Sequence, residues 1–320
     1  MNPRPPARTR DTIALLAALD DGRIVVDTDG SLPTAALRPG ETPSALVRGL
    51  ADPLGLVSYG AAPRPAVTDI AEGDDHAAGR HVIVWHGLVP AAWEAPAPYR
   101  AVPAGQVLAA LPAPEAARLR AASRAGLLGG TVRLTGGRRP GVGPSKAERT
   151  RARFTWHPDT RTRKRRLVRQ VWGWLTDPDG GVLVLLDRFG TPSLPGGRPE
   201  PGESPALTLA REAGEEAAAS IGPAVVLGVQ EVTEHGQRPY AQLRMTAPLL
   251  GLGPAAPDPD SGETYRRVLV AARQANLLLG WGPEGDAQAA AVATAFPERH
   301  GRALRHVPET GWVPQGAGGA

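Results

Sequence analysis

The chain has 320 residues, with 39 glycines, 34 prolines and no cysteine, and its formal net charge at pH 7 is +4. The length fits two domains or one large domain, and an apolar fraction of 42% is enough for hydrophobic cores, which excludes wholesale disorder. The lack of cysteine excludes a disulfide framework, a thiolate metal site and a cysteine nucleophile.

The positive charge is concentrated in one stretch of the chain. Residues 1–120 carry a net charge of −2, residues 121–170 a net charge of +12, and residues 171–320 a net charge of −6. The basic stretch is rich in Gly, Pro and Arg and has little apolar periodicity, which is typical of a linker. The basic pI therefore belongs to a connector between two acidic blocks and is weak support for a nucleic-acid enzyme.

The first apolar run, TIALLAAL at residues 12–19, ends at Asp20-Asp21-Gly22, which is typical of a hairpin turn, and the apolar RIVV follows. The run is too short for a signal peptide, and no stretch approaches the roughly 18–20 apolar residues that span a membrane. We therefore predict a first β-strand, and a soluble cytoplasmic protein without a membrane segment.

The sequence repeats itself at an offset of 162 residues. SLPTAALRPGETPSA at residues 31–45 is similar to SLPGGRPEPGESPA at residues 193–206. Two apolar runs separated by a turn precede each copy, and in the second copy these are VWGWLT, DPDGG and VLVLL. The repeat predicts two copies of one domain, joined by the basic linker.

The second copy contains a segment that favours a helix with clustered carboxylates. Ser204 and Pro205 suit the N-cap and N1 positions, and good helix formers follow. On this helix Glu212, Glu215 and Glu216 lie on one face. Their repulsion costs roughly 0.2–0.5 kcal/mol per neighbouring pair, and a divalent cation that prefers oxygen ligands would turn it into binding. The alternative interpretation is a solvated acidic face.

Residues 194–219, LPGGRPEPGESPALTLAREAGEEAAA, resemble the Nudix box of the Nudix hydrolase family, G-x5-E-x7-R-E-U-x-E-E-x-G-U, where U is a bulky aliphatic residue. The anchors in register are Gly197, Glu203, Arg211, Glu212, Glu215 and Glu216. The sequence departs from the pattern at Ala213, Ala218 and Ala219, which affects how the helix packs and ends. The resemblance implies an α/β (α+β) fold, the Nudix-type α/β/α sandwich with a mixed sheet, duplicated in tandem.

The resemblance also implies roles for the site residues. The implied metal ligands for Mg²⁺ or Mn²⁺ are Glu212, Glu215, Glu216, the carbonyl of Gly196 and, from a later loop, Glu263. The implied catalytic residues are Glu212, Glu216, Arg211 and Glu203, of which Glu212 orients or deprotonates the attacking water and Arg211 and Glu203 fix the glutamates. Gly197 and Arg198 would bind substrate. The implied reaction is attack of metal-bound water on a diphosphate linkage in a nucleoside diphosphate derivative.

The first copy lacks the carboxylates of the second. At the same offset Glu41 corresponds to Glu203, but Gly49, Leu50, Pro53 and Leu54 take the places of Arg211, Glu212, Glu215 and Glu216. Pro53 would also end any helix that reached it. The first copy therefore resembles a degenerate Nudix domain that kept the scaffold and lost the site, with a role in packing, pocket shaping or partner binding.

We predict four segments: a degenerate Nudix-like domain at 1–120, a basic linker at 121–165, a Nudix hydrolase domain at 166–308 and a flexible tail at 309–320. A second hypothesis is a nucleotide-binding sensor or regulator without turnover. In that case the basic residues at 149–169, which interleave with Phe154 and Trp156, would touch nucleic acid. The alternative for this segment is a solvated linker. The sequence leaves the oligomeric state open.

Overall fold

The structure is a computed structural model that describes residues 11–56, 63–70, 80–138, 152–158, 167–296 and 304–313. It divides into two compact units. The first comprises the described residues up to 138 together with Asn276–Pro283, and the second comprises the described residues 152–275 and those from Glu284 onward.

The first unit is built on a mixed sheet. Its described strands are β1 (Thr12–Leu19), β2 (Arg23–Val26), β3 (Thr34–Ala36), β4 (Arg64–Ile70), β5 (Arg80–Val89), β6 (Arg100–Pro103) and β7 (Val132–Thr135). Its helices are α1 (Pro43–Ala51), α2 (Ala104–Ala110) and α3 (Ala113–Leu128), with a 3₁₀ turn at Asp52–Leu54. The strand order is β6-β2-β1-β5-β4-β7, β3 pairs with β1, and β1 runs parallel to β5. One apolar core includes α1 residues and another includes α3 residues, so helices cover the sheet on both faces.

The second unit is built on a larger mixed sheet. Its described strands are β8 (Arg153–His157), β9 (Val168–Thr176), β10 (Gly181–Leu186), β11 (Pro192–Ser193), β12 (Gly196–Gly197), β13 (Ala219–Ile221), β14 (Val225–Thr233), β15 (Tyr240–Leu252), β16 (Arg266–Ala271) and β17 (Arg305–His306). The remaining helices are α4 (Pro205–Ala217), α5 (Ala272–Leu279) and α6 (Gly282–Ala295). The strand order is β17-β16-β10-β9-β15-β14-β8, β12 pairs with β9, and β9 runs parallel to β15.

The two sheets share the order of five strands. Each strand of the path β6-β2-β1-β5-β4 has its counterpart in β16-β10-β9-β15-β14, and β3 and β12 hold equivalent positions. The strands beyond β4 and β14 differ, because β7 runs parallel to β4 and β8 runs antiparallel to β14. The loop before α1 and the loop before α4 also match in detail, because the Arg38 N–H donates to Glu41 at 3.1 Å and the Glu200 N–H donates to Glu203 at 3.0 Å. This agreement supports the predicted duplication, and the predicted α/β fold with mixed sheets is confirmed.

Helix α4 lies directly on the sheet of the second unit. Leu209 and Ala213 are fully buried in the same apolar core as Leu243 of β15. A side chain at Gly173 of β9 would meet Leu209 Cδ1 at 2.4 Å, so this glycine permits the close approach. The contact fixes which face of α4 is turned away from the sheet core, and hence where its carboxylates lie.

The predicted linker at 121–165 is wrong in two places. The C-terminal half of α3 and strand β7 occupy most of its first 18 residues, and β8 pairs with β14 as a strand of the second sheet. Val132 and Leu134 alternate with polar residues, a short strand pattern that the surrounding glycines and arginines obscured. Residues 139–151 and 159–166 lie outside the described residues, as does most of the basic segment proposed to touch nucleic acid.

The predicted flexible tail from residue 309 is wrong for its first five residues. Trp312 and Leu252 exchange two backbone hydrogen bonds, at 2.6 and 2.7 Å, so the chain extends the pairing of β15 there. Residues 314–320 lie outside the described residues. Among the described helices, none combines the length and apolar character needed to cross a bilayer.

Candidate functional site

Helix α4 begins and ends at residues whose chemistry explains its limits. Ser204 is the N-cap and its hydroxyl accepts the Leu207 N–H, while Pro205 occupies the first helical turn, where its missing N–H costs nothing. Ala218 ends the helix in the left-handed conformation, with φ of 50°. A glycine is usual at such a position, so the sequence departure at Ala218 changes the residue and keeps the geometry.

Two glycines of β12 bring backbone against the carboxylates of α4. A Cβ at Gly196, whose φ is 151°, would meet the Val171 carbonyl oxygen at 2.1 Å. A Cβ at Gly197 would meet Glu212 Oε1 at 2.2 Å. The Gly196 N–H donates to Glu216 Oε2 at 2.8 Å. Only glycine allows this approach, so the Gly-Gly pair places the ends of Glu212 and Glu216 beside the first turn of the loop.

Arg211 connects the glutamates of the box. Its guanidinium donates to Glu203 Oε1 at 3.1 Å, to Glu212 Oε1 at 3.0 Å and to Glu215 Oε2 at 2.8 Å. It also donates to the carbonyl of Arg198 at 3.0 Å. The planar fork of arginine can serve several acceptors at once, so one cation fixes the helix face and the loop together.

Glu203 is held as an anion by its partners. The hydrogen bond from Arg211 and that from the Glu200 N–H lower the pKa of Glu203 to about 2. The Thr208 hydroxyl donates to Glu203 Oε2 at 2.9 Å, which adds a third partner. Glu203 therefore ties the loop to α4 and has little freedom to act as a base.

Glu212 and Glu216 have the opposite environment. Burial raises the pKa of Glu212, against the lowering effect of Arg211. Burial also raises the pKa of Glu216 to about 8, aided by the neighbouring charge of Glu212 and opposed by the Gly196 N–H. Neighbouring carboxylates with raised pKa values are typical of a site in which the neutralising charge comes from a bound cation and not from a side chain.

Two aspartates from a distant loop join this cluster. Asp258, which is buried, raises the pKa of Glu216 through its charge, and Asp260 does the same to Glu212. Sequence reasoning missed both, although it selected the segment that contains them. It chose Glu263 instead, whose carboxylate accepts the Arg188 N–H at 2.6 Å. The alternation of acids in PDPDSGE was the sequence feature that could have pointed to Asp258 and Asp260.

The donor set fits a hard divalent cation. Carboxylate oxygens from Glu212, Glu215 and Glu216 lie on one helix face, with a backbone glycine loop beside them, and oxygen is the ligand type that Mg²⁺ and Mn²⁺ prefer. Within the part of the chain that the structure describes, no three acidic or histidine side chains converge as a ready metal site. Glu212 and Glu215 instead bind Arg211, and Glu216 binds the Gly196 N–H.

A cavity of about 210 Å³ opens beside the glycine loop. Arg198, the residue after Gly197, lines it together with side chains from β8, β9 and β15. Of the two predicted substrate residues, Arg198 therefore lines this cavity and its neighbour Gly197 lies against the Glu212 carboxylate.

Among the described residues of the first unit there is no equivalent acidic cluster. Helix α1 ends at Ala51, and Pro53 lies in the 3₁₀ turn, as its lack of an N–H predicts. Leu50 and Leu54 occupy the positions of Glu212 and Glu216. Thr34 replaces Gly196 at the equivalent register position, since both residues pair with the strand that starts each repeat. The face that carries acids in the second unit is apolar in the first.

Comparisons with known proteins locate a family match in the second unit. The family described as NUDIX domain matches residues 166–281. No curated protein matches the chain.

Solved structures similar to the chain include three proteins of low sequence identity. A mutant pyrophosphohydrolase from Bacillus subtilis is 20% identical, with a TM-score of 0.28 over 31% of this chain and 61% of that one. A NUDIX hydrolase from Nitrosomonas europaea is 19% identical, with a TM-score of 0.32 over 40% of this chain and 88% of that one. A UDP-X diphosphatase is 18% identical, with a TM-score of 0.32 over 42% of this chain and 64% of that one. The chain thus spans less than two thirds of the first and third of these proteins.

Proposed function

We propose that residues 166–281, which match the NUDIX domain family, form a Nudix-type metal-dependent hydrolase that cleaves the diphosphate linkage of a nucleoside diphosphate derivative. The observation that carries the proposal is the position of Glu212 and Glu216 side by side on one face of α4 against the Gly196-Gly197 loop, with Glu212 buried and Glu216 half-buried. Burial raises the pKa of both carboxyl groups, which is the direction expected where carboxylates lie close together without a cationic side chain to neutralise them fully.

Glu212, Glu215, Glu216 and the carbonyl of Gly196 would hold Mg²⁺ or Mn²⁺. When bound, such an ion neutralises diphosphate charge and makes water more acidic. Glu212 is the residue we assign to orient the attacking water and to accept its proton, because burial keeps its affinity for a proton above that of an exposed glutamate.

Arg211 and Glu203 act as positioning residues in this proposal. Their hydrogen bonds hold α4 against the loop that carries Gly197 and Arg198. A side chain that is held by three or more hydrogen bonds has little freedom to move. Such rigid support maintains the geometry on which catalysis depends.

We further propose that the first unit is a second copy of the fold that binds no metal. The shared strand order and the matched loop hydrogen bonds of Glu41 and Glu203 support the common origin. The leucines that replace the carboxylates in α1 and after it support the loss of the site.

The proposal is tested by turnover. The protein is incubated with Mg²⁺ or Mn²⁺ and a panel of nucleoside diphosphate derivatives, and released phosphate-containing products are measured. We expect hydrolysis by the wild type, a loss of at least about 100-fold in Glu216→Gln, and wild-type rates in the matched control Glu41→Gln. Tight metal-dependent nucleotide binding without turnover of any substrate would contradict the enzyme and favour the sensor hypothesis.

A further inference from the structure

The cavity beside Arg198 is bounded on its inner side by two glutamines. Gln170 of β9 and Gln242 of β15 are register partners on adjacent parallel strands, and both line the cavity. Phe154 and Tyr240 also line it, and Phe154 is 39% exposed, so flat apolar surface is available beside the amides. A cavity that combines an exposed ring with fixed polar groups suits a planar heterocycle.

A buried arginine lies beneath the glutamines. Arg244 is 4% exposed, and burial lowers its pKa to about 9. Its guanidinium donates to Gln288 Oε1 at 3.0 Å, to Gln230 Oε1 at 3.2 Å and to Gln242 Oε1 at 3.0 Å. A guanidinium has donors and no acceptor, so each of these amides must face Arg244 with its oxygen.

The orientation that Arg244 imposes on Gln242 also determines the orientation of Gln170 at the cavity wall. Because the oxygen of Gln242 faces Arg244, its NH₂ group faces the other way, where it donates to Gln170 Oε1 at 2.5 Å. Gln170 must then use its oxygen as the acceptor, which leaves its own NH₂ group for the cavity. Within the described residues the structure gives that NH₂ no acceptor, and it is not one of the buried unpartnered atoms.

Most of the other polar side chains that line the cavity are donors. Arg169 and Arg198 are donors only. Gln237 accepts from Arg169 at 3.4 Å through its oxygen, so it too offers its NH₂ group. Glu234 is the exception, because its Oε1 accepts the Tyr240 hydroxyl at 3.0 Å and its second carboxylate oxygen is still an acceptor. Donors therefore outnumber acceptors among these side chains.

We propose that this cavity binds the base of the nucleotide through an oxo group, which accepts a hydrogen bond from the Gln170 amide that Arg244 orients through Gln242. The inference rests on the proposed function, because it names the substrate class of the same site: derivatives of a base with an oxo group at C6 of the purine or C4 of the pyrimidine, as in inosine or uridine, and not of a base with an amino group at that position, as in adenosine or cytidine. Gln170 is the specificity-determining residue, and Gln242 and Arg244 are positioning residues.

The test compares ligands that differ only in the oxo or amino group. Non-hydrolysable α,β-methylene diphosphates of inosine and adenosine, and of uridine and cytidine, are titrated calorimetrically in Mg²⁺. In the wild type we expect the oxo member of at least one pair to bind about fivefold to tenfold more tightly, the effect of one hydrogen bond of about 1 kcal/mol. Gln170→Ala should bring that ratio to about one.

A substitution that reverses the amide gives the sharpest result. In Gln242→Glu the side chain has no NH₂, so Gln170 turns its own NH₂ toward the carboxylate and presents its oxygen to the cavity. We expect the preference to shift toward the amino member. Gln230→Glu is the matched control, because it places the same charge against Arg244 without lining the cavity or bonding to Gln170. It should keep the wild-type ratio.

Two results would overturn the inference. One is a wild type that does not distinguish the members of either pair, or that binds none of them. The other is an affinity ratio between the oxo and amino members that Gln170→Ala leaves unchanged. Because Gln170→Ala is a smaller change than Gln242→Glu, it tests the inference even if Gln242→Glu does not fold. Since the probes cannot be hydrolysed, an oxo preference in a protein without turnover would contradict the proposed function and leave this inference standing.

Discussion

Glu203 and Glu216 show how the pKa of one side-chain type shifts in opposite directions within a single site. Glu203 receives hydrogen bonds from Arg211, Thr208 and the Glu200 N–H, and its pKa falls to about 2. Glu216 is half-buried beside other acids and receives the Gly196 N–H, and its pKa rises to about 8. Hydrogen bonds to the anion dominate in the first case, and desolvation dominates in the second.

The fixed charge of Glu203 should make the second unit acid-sensitive. A carboxylate whose pKa is lower in the folded state stabilises the fold above its unfolded value of 4.5, and this stabilisation is lost as the pH falls toward 2. We predict that the free energy of unfolding of Glu203→Gln falls less steeply than that of the wild type between those pH values. Urea unfolding at stepped pH measures it.

Glu41→Gln is the control for this prediction. Glu41 accepts the equivalent backbone N–H of Arg38, while the position of Arg211 is Gly49 in that copy. Its acid dependence should match that of the wild type. Parallel curves for the wild type and Glu203→Gln would show that the Arg211 contacts do not stabilise the folded anion.

Among individual residues, the sequence predicted those whose relative positions depend on their spacing along the chain. The glutamates of α4, Arg211 and the two glycines are near neighbours along the chain, so helical periodicity and the box pattern place them. Asp258 and Asp260 come from a loop some 40 residues further along the chain, and only the sheet brings that loop to α4. The run of acids in PDPDSGE marks the segment, but no local pattern shows which of its acids lies near α4, and Glu263 stays a prediction.

Among the elements, α4 and the β12 strand depend on each other. The helix was predictable from Ser204, Pro205 and the helix formers that follow, and it ends one residue before Ala218, the position of the closing glycine in the box motif. The two-residue strand β12 was not predictable as a strand, because its identity comes from pairing with β9. The short strands β7 and β8 were also not predicted, because they too are defined by pairing with other strands and lie in a stretch whose composition is typical of a linker.

The contact between β12 and α4 can be tested at Gly197. The three atoms nearest to a Cβ at Gly197 belong to the carboxylate of Glu212, the movable end of a flexible side chain, so we expect Gly197→Ala to displace Glu212 with little loss of stability. We predict a fall in kcat/KM of at least about tenfold, or about 1.4 kcal/mol. Steady-state kinetics and thermal unfolding measure the two effects.

Gly214→Ala provides the comparison for Gly197→Ala. Gly214 lies inside α4 with nothing within 4 Å of its Cβ position, so alanine should leave kcat/KM unchanged and stabilise the helix by about 0.5–1 kcal/mol. Wild-type kcat/KM in Gly197→Ala would mean that the position of the Glu212 carboxylate does not matter for turnover.

Across the described residues, the order of five strands occurs in both units, whereas the clustered glutamates occur in the second alone. The duplication could be predicted from an offset of 162 residues that holds through the loop and the helix N-cap. The basic pI could also be traced to the stretch between the repeats. Because the two units share their fold, we expect their functions to differ through the few side chains that differ between α1 and α4.

Metal removal from the intact protein tests the central claim most directly. Hydrolysis of a nucleoside diphosphate derivative is followed in the wild type and in Glu212→Gln, first after chelation with EDTA and then during titration with Mg²⁺. The glutamate site on α4 predicts no turnover after chelation, full recovery of the wild type with Mg²⁺, and at least about 100-fold slower turnover in Glu212→Gln at saturating Mg²⁺. Hydrolysis that persists in EDTA, or equal recovery of Glu212→Gln, would contradict it.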